Sequence, residues 1–281
     1  MNPAVNPDLE AGYLSPAMME EVPRAIPDWA RDAAAYREAA GARAELDLAY
    51  GDEPRRRLDV FTPADGAGGP VALFIHGGYW QAMDKSYFSH LARGANAHGI
   101  TVVVAGYTLC PATTMATIVD ELRSAVAFIA RRFGKPVTVA GHSAGGHLTA
   151  CLLATDWRAF DPALSPDTVP AGLPISGLFD LEPLVATSLN DRLRLDAAEA
   201  RRLSPLHWQV QAGKRVIACV GADESSEFLR QSRQLVERWA ASGVAITGVE
   251  IPAASHFGVI ASLADPAGVM TRYLVELAGD R

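Results

Sequence analysis

The chain has 281 residues, 49% hydrophobic and 20% charged, with a formal net charge of −7. That length can bury a large core as a single domain over 1–281, and the acidic balance excludes nucleic acid as an expected partner. Three cysteines, Cys110, Cys151 and Cys219, are an odd number in apolar or mixed contexts, which argues against a disulfide framework and for a reducing compartment.

The first residues are polar and acidic and lack the basic start and apolar stretch of a signal peptide. No segment is apolar for long enough to span a bilayer. The expected location is therefore cytoplasmic, with no membrane partner. The only basic cluster, Arg55-Arg56-Arg57, precedes a strand pattern and reads as a solvated strand entry.

In chain order, residues 1–28 are rich in Pro, Asn and acidic residues and read as an arm laid over the domain. Residues 29–40 read as a helix ended by Gly41. Two short alternating runs, Glu45–Tyr50 and Arg57–Phe61, are joined by Gly51-Asp52-Glu53-Pro54 and read as an antiparallel hairpin. Apolar runs then alternate with helical ones: Val71–Ile75, Thr101–Ala105, Val137–Ala140, Leu173–Ile175, Val216–Val220 and Ala245–Ile251. Continuous apolar strands of this kind are buried on both faces, as in a parallel sheet covered by helices.

Helices are expected at 86–98, 116–133, 144–154, 226–242 and 266–278. In the fourth, Phe228, Leu235, Val236 and Trp239 recur at helical spacing and read as core contacts. The stretch 180–208 interrupts the alternation and reads as a small cap over a site. The fold class is α/β: a mostly parallel, eight-stranded sheet flanked by helices.

Four features carry chemistry. Gly141-His142-Ser143-Ala144-Gly145 lies between a strand and a helix pattern. A sharp turn there needs small residues on either side of the serine, and lifts it to the end of the sheet at the positive end of a helix. His76-Gly77-Gly78-Tyr79-Trp80 follows the strand Val71–Ile75. Glycines let backbone N–H groups approach a developing oxyanion, so Gly77, Gly78 and Tyr79, with Ala144 after the serine, are the candidate donors; the same glycines would also be needed simply to turn the chain.

The late His256, after the last strand, suits a general base. His76 and His142 flank the glycines and read as braces, His90 and His98 lie on an expected surface helix, and His147 and His207 fit a base less well. No pair has metal-ligand spacing, so neither metal nor cofactor is expected. The acid that orients the base should follow Val216–Val220, where Asp223 and Glu224 are adjacent. A step of three residues from Gly221 favours Glu224, with Asp223 then a turn residue.

Together these residues describe a serine hydrolase, and the segments that carry them resemble a known family. His76-Gly77-Gly78-Tyr79-Trp80-Gln81 is similar to the oxyanion loop of arylformamidases, the kynurenine formamidases of α/β-hydrolase type. Tyr107 to Pro111, Gly141 to Leu148, Ser176 to Leu181, Glu224 to Phe228 with Arg230-Gln231-Ser232, and His256-Phe257 agree. The resemblance covers roughly 45–275 and departs at Glu224, where animal members carry Asp; either acid can fill the role.

The resemblance implies hydrolysis of N-formyl-L-kynurenine to L-kynurenine and formate, in tryptophan catabolism. Trp80 and Tyr107 are candidate substrate contacts. The alternatives are a carboxylesterase or amidase on other small acyl compounds and a catalytically dead binding module, because a fold does not fix a function. The expected partners are a small-molecule substrate and, among proteins, a second copy forming a homodimer.

Overall fold

The computed structural model describes residues 4–66 and 68–279. Its centre is an eight-stranded sheet built from β1 (Ala44–Ala49), β2 (Arg57–Phe61), β3 (Val71–Ile75), β4 (Thr101–Ala105), β5 (Val137–His142), β6 (Ala171–Ile175), β7 (Arg215–Gly221) and β8 (Ala245–Ile251). The spatial order is β1-β2-β4-β3-β5-β6-β7-β8. β2 pairs antiparallel with β1 and with β4, and every other pair is parallel. β3, β4, β5 and β6 are buried along their whole length, as their unbroken apolar runs require.

β8 departs from that expectation. It is an edge strand in which every residue keeps some exposure. Thr247 and Glu250 interrupt its apolar run, and only one face of it is covered by the helix Ser226–Ala241.

Helices cover both faces. Met115–Phe133, Ala144–Leu153, Ser226–Ala241 and Val269–Gly279 fall close to their expected places. The expected surface helix at 86–98 is instead two 3-10 turns, Lys85–Tyr87 and Ser89–Leu91, followed by the short helix Ala92–Asn96. His90 there is buried, because this segment packs tightly against the C-terminal region: a Cβ on Gly94 would lie 2.3 Å from the carbonyl of Leu263.

The N-terminal region also differs from expectation. Helix α1 (Pro7–Tyr13) is capped by Asn6, and α2 runs over Pro16–Ala40, capped by Ser15 with Pro16 in its first turn. Pro23 and Pro27 lie inside α2. Each removes an N–H from the helix, which is why the sequence reads as broken there. Tertiary packing holds the helix through them: Trp29 lies against Phe88 and Phe257, and the Tyr36 hydroxyl donates to Asn96 Oδ1 at 2.5 Å.

The basic cluster is bonded rather than merely solvated. Arg55 donates to the carbonyls of Met83 and Tyr107, and Arg57 to that of Gly51. All three cysteines are free and buried. Among the described residues no helix is long and apolar enough to cross a membrane.

Candidate active site

β5 ends at His142, and the helix Ala144–Leu153 begins two residues later. Ser143 makes the turn between them with φ +57° and ψ −117°, a conformation that L-residues rarely adopt. The flanking glycines have no alternative. A Cβ on Gly141 would lie 2.3 Å from the carbonyl of Gly145, and one on Gly145 would lie 2.0 Å from the carbonyl of Ile75. The serine is thus held at the carboxyl end of the sheet and at the N-terminus of a ten-residue helix, where unpaired N–H groups and the helix dipole favour negative charge.

β7 ends at Gly221, and the turn after it aims Glu224 inward while Asp223 is left exposed. Glu224 Oε2 lies 2.6 Å from Nδ1 of His256. Its Oε1 accepts from the Gly221 N–H at 2.7 Å and from the Ser176 hydroxyl at 2.5 Å. Of the two adjacent acids, Glu224 is therefore the one that meets the histidine. With Nδ1 bonded to a carboxylate, Nε2 of His256 is the nitrogen left for proton transfer.

His256 stands on the loop after β8, and its ring packs against Phe228 at 4.4 Å and His142 at 4.6 Å. Nε2 of His142 lies 2.8 Å from the His256 carbonyl, which can only accept, so that nitrogen carries the proton. Burial first, and the neighbouring His256 second, hold His142 well below the ordinary imidazole value. It is a neutral brace beside His256.

Gly77, Gly78, Tyr79, His142, Ser143 and His256 line one cavity of about 220 Å³. Ala144 is buried directly behind the serine, at the first position of its helix. His76 is sandwiched between Tyr107 and Phe88, and its Nδ1 lies 2.7 Å from the carbonyl of Gly77. Burial lowers its pKa to about 4, so it too is neutral. A Cβ on Gly78 would lie 2.3 Å from the carbonyl of Ala82, so only glycine closes this loop.

Trp80 and Tyr107 do not lie where the sequence places them. Both are fully buried behind the loop and neither lines the cavity. Trp80 packs edge-on against His147, and the Tyr107 hydroxyl donates to the His76 carbonyl at 2.9 Å. They support the loop from behind. The aromatic wall is formed by Trp29, Phe88 and Phe257 instead.

Nor does the stretch 180–208 contribute to this cavity; the cover is α2, through Met18, Met19, Val22, Ile26 and Trp29. The apolar stripe 18, 22, 26, 29 is a helical period that the sequence contains; two prolines within it obscured the signal. Among the described residues no group of three or more His, Cys, Asp or Glu is arranged to hold a metal ion.

A serine on a strained strand–helix turn, a histidine bonded to a buried carboxylate and a glycine loop lining the same cavity are the parts of a hydrolase site. The α/β-hydrolase fold family matches residues 72–259, and the chain belongs to it. Within that family it is similar over most of its length to kynurenine formamidases. The Danio rerio enzyme is 30% identical, covering 83% of this chain and 82% of that one. The Drosophila melanogaster enzyme is 28% identical, covering 81% and 79%. Among solved structures, a candidate thioesterase from Silicibacter is 35% identical with a TM-score of 0.83, covering 95% of this chain and 98% of that one. An esterase from Pyrobaculum calidifontis, at 19% identity, shares the fold with a TM-score of 0.70 over 98% of each chain.

Proposed function

We propose that the chain is an arylformamidase that cleaves N-formyl-L-kynurenine to L-kynurenine and formate through Ser143, His256 and Glu224. The observation that carries this reading is a Glu224–His256 pair in the same compact site as Ser143 and the glycine loop, under a cover of aromatic and aliphatic side chains. Similarity to kynurenine formamidases over most of the chain supports the substrate.

In the reaction Ser143 Oγ attacks the formyl carbon while Nε2 of His256 takes its proton. The carbonyl oxygen becomes an oxyanion facing the backbone N–H groups of the 77–79 loop and of Ala144. Collapse breaks the C–N bond, and His256 returns the proton to the departing arylamine. Water, deprotonated by His256, then attacks the formyl-enzyme and releases formate and Ser143. Glu224 keeps the imidazole in the required tautomer and stabilises its cationic form.

One observation favours a second reading, a carboxylesterase acting on neutral short-acyl aryl esters. No Asp, Glu, Lys or Arg lines the cavity, and burial raises the Tyr79 phenol. A charged amino-acid head would have to lie outside it. Measuring kcat/KM for N-formyl-L-kynurenine beside phenyl acetate decides between them. The first reading predicts that the formamide is preferred by about tenfold or more; turnover of the ester alone would favour the second.

A further inference from the structure

The glycine loop facing Ser143 is backbone under strain. Gly78 has φ +108°, Tyr79 +50°, Trp80 +57° and Met83 +72°. Side chains resist this left-handed region, and such a run persists only where its surroundings hold it. Two of the bonds that do so are ordinary: the Cys110 N–H donates to the Trp80 carbonyl at 2.8 Å, and Gln81 Nε2 to the Leu189 carbonyl at 2.8 Å. A third is the Tyr79 hydroxyl, which donates to the backbone carbonyl of Tyr13, the last residue of α1.

Tyr13 is itself clamped. Its side chain is fully buried, its hydroxyl donates to Glu227, and it accepts from Gln231 Nε2 at 3.0 Å. Next to it, Ser225 Oγ donates to the Gly12 carbonyl at 2.5 Å. Phe228 stands edge-on to the Tyr13 ring and also packs against the His256 ring. Tyr13 therefore meets the glycine loop on one side and, on the other, the helix that begins two residues after Glu224.

We infer that Tyr79 and Tyr13 form a latch through which α1 sets the geometry of the oxyanion donors, making both tyrosine side chains positioning groups for catalysis. The inference rests on the serine-hydrolase reading and is independent of which acyl substrate is native. An N-terminal segment that looks like an appendage is in this way part of the active site. The Tyr79 bond acts on the loop directly, whereas the Tyr13 ring acts by holding the carbonyl that receives it.

The test compares the full-length wild type with Tyr79→Phe and Tyr13→Phe, using 4-nitrophenyl acetate as substrate. An aryl trifluoromethyl ketone serves as a probe, because its serine adduct carries an oxyanion. Tyr79→Phe keeps the ring and loses the donor. It is expected to lower kcat about 10- to 100-fold with KM nearly unchanged, the size of loss that a small misplacement of catalytic groups causes.

Ketone affinity should fall by the same factor, while the pH dependence of kcat/KM stays put because the triad is untouched. Tyr13→Phe should move the same quantities in the same direction by less, and it decides the matter if Tyr79→Phe does not fold. Unchanged kcat in both variants, a rise in KM alone, or a loss of kcat with ketone affinity intact would each overturn the latch. A wild type that cleaves no ester and binds no ketone would overturn the serine-hydrolase reading, and the latch with it.

Discussion

Nδ1 of His256 lies 2.6 Å from Glu224 Oε2, while the other oxygen of that carboxylate is taken by Ser176 and Gly221. The acid is fixed from two sides before it meets the base. Neighbouring Asp223 is exposed. Glu224→Gln should therefore lose roughly 10³–10⁴ in kcat, the loss seen when a triad base is held in the wrong tautomer. Asp223→Asn should stay close to wild type. Steady-state kinetics of the two variants on one aryl ester check this, and comparable losses would count against the assignment.

Ser176 extends the same network by one group. It is fully buried, sits at φ +49° and donates to the acid. A hydrogen bond to a charged acceptor contributes about 1.5–3 kcal/mol, so Ser176→Ala should lower kcat about tenfold or more and leave KM nearly unchanged. A parallel rise in KM would show that the hydroxyl serves substrate binding instead.

Much of this was legible in the sequence, for physical reasons. Buried parallel strands have no polar face, so β3 to β7 stand out as short apolar runs. The nucleophile turn and the glycine loop have steric demands that only small residues meet, and those demands fix their spacing. What stayed hidden depends on tertiary packing. Pro23 and Pro27 argue locally against a helix that Trp29 and Tyr36 nevertheless hold in place. Trp80 and Tyr107 are adjacent to the site in sequence or topology, but sequence proximity does not give side-chain direction. Both turn into the core.

The cover formed by α2 leads to a specificity prediction. Val22, on α2, lines the cavity. Val22→Trp should cut kcat/KM for a bulky ester such as 2-naphthyl acetate about 10- to 100-fold, while methyl acetate changes little, since pocket size discriminates on this scale. Equal losses on both esters would place α2 outside the path of the leaving group.

Stability should depend on pH through the buried imidazoles. Burial lowers His76, His90 and His147 to about 4 from an ordinary 6.5 and takes His142 well below that value. In the unfolded chain these groups take up protons near 6.5; in the folded chain they do not until far lower pH. The unfolded state thus binds more protons between these values, and stability, fully present above about 6.5, falls as the pH drops toward 4. Each histidine contributes up to about 1.4 kcal/mol per pH unit in that window. Melting temperatures at pH 8.5, 7.5 and 5 test this: a plateau between the first two and a clear drop at the third are expected, and a flat curve would contradict it.

The central claim is that Ser143 is the nucleophile activated by the His256–Glu224 pair, and active-site labelling tests it most directly. The protein is treated with a fluorophosphonate, residual phenyl acetate hydrolysis is followed in parallel, and the adduct is located by peptide mass spectrometry. The account predicts a single modification, on the peptide containing Ser143, with activity falling in proportion to labelling and no labelling of Ser143→Ala. Activity that survives complete labelling, or an inactivating adduct on any other residue, would contradict it.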